Sequence, residues 1–191
     1  TERNKYQAEL DALENKRKAE ESISDELKNQ IELKERIGDK NTSSDYSAVN
    51  ESILKQINNY KKQIPVLEKQ LGTVKKGSDK WYEYKEAIDS VKDSISGLTQ
   101  EMMDKATKGI EAIQNASDEY LKSLDDEDTL NNAKKENALT ADEKNGYIQN
   151  TIDNIAKRKT KYAQDSLSYL NEKNNSVNLI NATSKKVQKS E

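Results

Sequence analysis

The sequence predicts an all-α protein of long helices that pair as an antiparallel helical hairpin within a coiled-coil bundle. Three observations predict it. Breakers are scarce, with one Pro and six Gly in 191 residues. Charged residues make up 35% of the chain and hydrophobic ones only 32%, too few for a thick core but enough for a narrow helical seam. Apolar residues also recur at alternating steps of three and four, the period of a coiled-coil helix.

Residues 1–40 form the first predicted helix. Tyr6, Leu10 and Leu13 begin a seam that Leu27 and Ile31 continue. Between them the same phase lands on Arg17, Glu20 and Ser24, so the apolar stripe is interrupted and the helix is expected to lean on a partner. Gly38-Asp39 ends it, and Asn41-Thr42-Ser43-Ser44-Asp45 reads as a loop rich in N-cap residues.

The strongest pattern lies in residues 45–106, predicted to form an antiparallel hairpin with its turn at 72–79. Ile53, Ile57, Tyr60, Ile64, Leu67, Leu71 and Val74 are spaced 4, 3, 4, 3, 4, 3. After two glycines and a Ser-Asp pair, Trp81, Tyr84, Ile88, Val91, Ile95, Leu98 and Met102 are spaced 3, 4, 3, 4, 3, 4. Folding at the turn brings the stripes together layer by layer, Leu67 against Ile88 and Ile64 against Val91 among them. Their mirror point falls inside the turn, which a chance pair of stripes need not do. Pro65 interrupts the first stripe's helix and predicts a kink there.

Residues 107–145 carry a weaker helix, with Ile110, Ile113, Tyr120, Leu121 and Leu124 as anchors. Asp125-Asp126-Glu127-Asp128 then reads as an acidic connector, and Gly146 as a break. A last long helix is predicted over residues 147–191. Ile148, Ile152, Ile155, Tyr162 and Tyr169 keep one heptad phase, and the Asn-rich stretch 171–183 predicts a frayed end.

Composition excludes several function classes. Without Cys or His there are no disulfides, no Cys–His zinc site and no catalysis by either residue. The reading is a non-enzyme with no cofactor and no metal. The net charge is -3, and no dense basic face exists for nucleic acid. The charge is mildly polarised: residues 78–146 carry 9 basic and 17 acidic residues, residues 147–191 carry 8 and 4. No apolar run approaches the ~20 residues of a membrane span. The opening TERNKYQAEL lacks Met and a signal-peptide core, and the chain reads as a piece of a longer protein.

Several local patterns have plain explanations. Gly72 and Gly77 have P-loop spacing, but Ser78 and Asp79 stand where Lys and Ser/Thr are required. Asp125–Asp128 lacks the spaced oxygens and central Gly of a calcium loop and reads as a solvated face. Ser52-Ile53-Leu54-Lys55 matches Ser-x-x-Lys without its companion motifs. Trp81, Tyr82 and Tyr84 are expected to close the tip of the hairpin core, with Tyr82 half exposed.

The stretch Lys76-Gly77-Ser78-Asp79-Lys80-Trp81-Tyr82-Glu83-Tyr84-Lys85-Glu86-Ala87-Ile88-Asp89-Ser90-Val91 resembles a segment of phage tail tape measure proteins of Gram-positive bacteria. In that family a Gly-Ser/Thr-Asp/Glu-x-Trp/Tyr-Tyr stretch leads into helices with heptad-spaced Ile. The likeness covers about 30 residues well, in a hairpin of roughly 60. It implies a structural role, as a length ruler and scaffold around which the tail tube assembles. It also implies a place in the virion tail lumen after synthesis in the bacterial host cytoplasm. The expected partners are proteins: other copies of the chain, tail-tube subunits or chaperones. The hydrolase domains and membrane-inserting segments of some family members have no counterpart here, and no catalytic residue carries over. The alternative reading is a helical binding module of a bacterial surface or secreted protein.

Overall fold

Four helices account for nearly the whole chain: α1 Glu2–Arg36, α2 Ser43–Gly72, α3 Asp79–Glu136 and α4 Ala141–Lys189. Backbone is described for residues 2–189 and side chains for residues 4–181 of this computed structural model. The protein is all-α, and successive helices pack antiparallel.

Local chemistry sets the boundaries. Thr42 caps α2 with a full capping box: its hydroxyl accepts from the Asp45 amide and the Asp45 carboxylate accepts from the Thr42 amide. Between α2 and α3, Gly77 takes a φ of 83°, a left-handed conformation that costs glycine little. Ser78 then accepts from the Trp81 amide at 3.3 Å and opens α3. At α4, Thr140 accepts from the Glu143 amide while Glu143 accepts from the Leu139 amide.

Several boundaries differ from the sequence expectation. The acidic run Asp125–Asp128 is not a connector but lies inside α3, a single helix of 58 residues. With neither Gly nor Pro between Ile110 and Glu136, nothing there stops a helix. Gly146 is no break either. It lies within α4, which starts at Ala141 rather than at residue 147, and a lone helical Gly costs only ~1 kcal/mol. The backbone of α4 is helical through 171–183. Pro65 sits on the exposed side of α2, and α2 continues across it.

The chain divides into two compact units, one of residues 1–109 with 174–191, the other of residues 110–173. The first unit holds α1, α2, the opening of α3 and the end of α4. Its core combines Val49, Ile53, Ile57, Ile64 and Leu67 of α2 with Ile88, Val91, Ile95 and Met102 of α3, and Leu10 and Ile31 of α1 close it. The second unit is a two-helix hairpin of α3 and α4. Leu124 is the one large apolar side chain fully buried among its described residues.

Candidate functional site

Among the described residues the buried polar chemistry is concentrated in the seams between helices. The apolar seam joins α2 and α3. Ile53, Ile57, Ile64, Leu67, Tyr84, Ile88, Val91, Ile95 and Met102 are buried on it. Tyr60, Leu71, Val74, Trp81 and Leu98 are half-buried. At the open end of the hairpin the Asn50 amide donates to the Met102 carbonyl at 3.0 Å, a buried bond that ties the register of the two helices. At the closed end Trp81 meets Tyr82 edge to face, with ring centroids 5.0 Å apart, and Tyr82 remains exposed.

The second seam, α1 against α2, is built largely from polar groups. α2 presents Gln56, Gln63 and Gln70, seven residues apart and all buried. Each side-chain amide donates to α1. Gln56 reaches the Ser24 hydroxyl at 3.0 Å, Gln63 the Glu14 carboxylate at 3.1 Å and Gln70 the Gln7 carbonyl oxygen at 3.2 Å. The Ser52 hydroxyl donates to the Glu20 carbonyl at 2.8 Å. Arg17 lies over the Tyr60 ring at 4.9 Å and is clamped by Glu14 and Glu21. Of the positions that interrupt the apolar stripe of α1, Glu20 and Ser24 accept from α2 and Arg17 stacks on Tyr60, and with Gln7 and Glu14 they make a polar ladder across the seam. Such a seam fixes register sharply, because sliding by one turn strands buried polar groups.

Charges tune the contacts α1 makes with α2 and α3. The Arg17 guanidinium, helped by Gln63, holds the Glu14 carboxyl below its usual range, and Glu14 raises Arg17 in return. The Thr42 backbone amide, then Lys34, depress Asp45. Burial works to lower Lys28, but the Glu101 carboxylate at 2.8 Å outweighs it and raises the ammonium.

The third seam, α3 against α4 in the second unit, is also polar. Arg158 of α4 pairs with both Asp125 and Asp128. Asn154, almost wholly buried, donates to Asp128 at 2.8 Å. That bond, with Arg158 behind it, depresses the Asp128 carboxyl. Asp128 thus helps clamp α4, while Asp125, Asp126 and Glu127 stay exposed, the solvated face that the sequence suggested. The buried amide nitrogen of Asn131 and the buried amide oxygen of Asn154 have no partner, a debit against this seam.

The remaining sequence patterns take structural roles. Ser52 is buried with its hydroxyl on a carbonyl, and the Lys55 ammonium approaches Glu20 at 4.0 Å. Gly72–Asp79 forms the connection between two helices. Among the described residues no group of three or more acidic side chains is placed to hold a metal, and no helix is long and apolar enough to cross a membrane. The sequence alone does not predict the glutamine ladder: Gln56, Gln63 and Gln70 recur every seven residues beside the apolar stripe, but a solvated helix face carries the same pattern.

Comparison with known proteins adds no relative: no family model, no curated protein and no solved structure matches the chain.

Proposed function

We propose that the chain is a central helical segment of a phage tail tape measure protein, a ruler and assembly scaffold with no catalytic role. The observation that carries this reading is the Lys76–Val91 stretch, which resembles that family and opens a helix of 58 residues. The physical logic is length. A helix advances ~1.5 Å per residue, so residue count converts directly into distance. Within a tail tube the two arms of the hairpin would straighten into a longer rod, with tube subunits and chaperones as partners. An in-frame deletion of residues 81–101 in the parent gene removes about 31 Å of helix. It is expected to shorten assembled tails by a whole number of tube rings, as read from micrographs. Unchanged tail length would reject the ruler role.

A second reading, a helical binding module of a bacterial surface or secreted protein, draws support from the apolar residues that α4 leaves exposed. The parent reading frame separates the two. Repeats of the Gly-Ser-Asp-x-Trp-Tyr stretch favour the ruler, and a wall anchor favours the binding module.

A further inference from the structure

Helix α4 is arranged against the usual amphipathic logic. The side it turns to α3 carries Asn154, Arg158, Lys161 and Asp165, while Ile152, Ile155 and Tyr162 are each more than half exposed. These three, with Ile148 and Tyr169, keep a single heptad phase, the pattern of a seam awaiting another helix. A groove of about 660 Å³ runs beside that stripe between α3 and α4, lined by Asp118, Tyr162, Asp165 and Tyr169 among others. One oxygen of Asp165 meets Lys161 at 3.0 Å, and the other is buried without any partner. A buried carboxylate oxygen with an empty acceptor position calls for a donor from outside. Lys159, exposed in the same stripe, forms no ion pair among the described residues.

We propose that this face of the second unit binds the same face of a second copy of the chain, with the two α4 helices antiparallel. The charges choose both partner and direction. A parallel, in-register pair would set Lys159 against Lys159 and Lys173 against Lys173 in the seam. An antiparallel pair with Ile152 opposite Tyr169 sets Ile155 opposite Ser166 and Lys159 over Tyr162 of the second copy. Lys159 then lies one helical turn from the second copy's Asp165, and the twofold axis repeats the contact. The stripe from Ile148 to Lys173 is about 39 Å long and ~10 Å wide, close to 400 Å² per helix. That is half of the ~800 Å² per partner of a stable interface, so the α3 wall of the groove must contribute and the dimer is weak.

Sedimentation equilibrium of the full chain tests this. The mass is expected to rise from 21.7 kDa toward twice that value as concentration increases through the micromolar range. Ile152→Asp with Ile155→Asp, both at exposed sites, should keep the helical circular dichroism and abolish the rise. Lys159→Glu should weaken dimerisation at least tenfold, an effect that falls as salt is added. The chain has no cysteine, so engineered pairs report direction cleanly. Ile152→Cys mixed with Tyr169→Cys should cross-link, and Ile152→Cys alone should not, its two copies lying about 25 Å apart. A monomer at every concentration would overturn the proposal, as would self-cross-linking of Ile152→Cys or a dimer indifferent to Ile152→Asp with Ile155→Asp.

Discussion

The two units solve the same problem with different numbers of helices. In the first, α2 lies against both α1 and α3, so it buries an apolar face on one side and a polar face on the other. Ile53, Ile57 and Ile95 end almost without exposure. Within the second, the described parts of α3 and α4 pair with each other, and one interface cannot cover two faces. The polar face of α4 is used for register, through Asn154 and Arg158, and the isoleucines stay outside. The contrast teaches that a heptad stripe shows where a helix can be buried. Whether it is buried depends on how many neighbours the fold supplies.

The largest expected effect breaks this contrast with one residue type. Ile57→Ala removes a side chain with no exposure and should cost about 2–5 kcal/mol in urea unfolding. Ile152→Ala, at 51% exposure, should stay within about 0.5 kcal/mol at concentrations where the chain is monomeric. Trp81, the only tryptophan, lies in the first unit, whereas helical circular dichroism sees both. Loss of ellipticity should therefore begin at lower urea than the tryptophan transition. Coincident curves would mean that the two units unfold as one.

A smaller effect sharpens the description of the apolar seam. Leu67 and Ile88 are both buried and fall opposite each other if the hairpin mirrors about its turn. Truncating either to Ala should cost about 2–4 kcal/mol. A double-mutant cycle should then show about 0.5–3 kcal/mol of coupling, since touching residues are not additive. Strict additivity would displace the layer register, leaving α2 and α3 packed but offset.

The polar seam should respond with the opposite logic. Ser24→Ala alone removes the acceptor of the buried Gln56 amide and should cost about 1–3 kcal/mol. Ser24→Ala combined with Gln56→Leu removes donor and acceptor together and should recover most of that loss, since no buried polar group is then stranded. If the double variant is the less stable, the ladder holds α1 by net hydrogen-bond energy rather than by specifying register.

The legible part of this fold was the part written in apolar spacing. The stripe from Ile53 to Val74 and its mirror from Trp81 to Met102 located both helices and the turn, because three–four spacing has no competing reading in a chain nearly free of Gly and Pro. The glutamine ladder was not legible, because Gln56, Gln63 and Gln70 are also what a solvated helix face carries. Only a neighbouring helix distinguishes the two. The continuity of α3 through Asp125–Asp128 was hidden for a related reason: acidity suggests solvent, but Asp125 and Asp128 are held by Arg158 and Asn154 from a helix 26–33 residues further along the chain. The start of α4 was legible in principle, since Thr140-Ala141-Asp142-Glu143 is a capping-box sequence. For the isoleucines of α4 the period could be read, but not the side that α3 would cover.

Acid should produce the smallest and most local effect, and it can be read unit by unit. Glu14 and Asp45 in the first unit and Asp128 in the second are all held below the ordinary carboxylate range near pH 4. A carboxyl with a depressed folded pKa binds fewer protons in the folded state than in the unfolded one as pH falls. Its stabilisation is complete above the ordinary range and is lost as pH drops through the folded value. Lowering the pH from 7 to 3 should therefore reduce the melting temperature of both units by a few degrees. Asp128→Asn cannot titrate, so it should flatten the response of ellipticity while leaving that of Trp81 fluorescence unchanged. Asp45→Asn should flatten the Trp81 response and, with it, only the first unit's share of the ellipticity change, because Thr42 and Lys34, which depress Asp45, both belong to the first unit. If Asp128→Asn flattened the Trp81 signal as well, the carboxylates would be coupled along α3, and the boundary near Gly109 would not separate independent folding units.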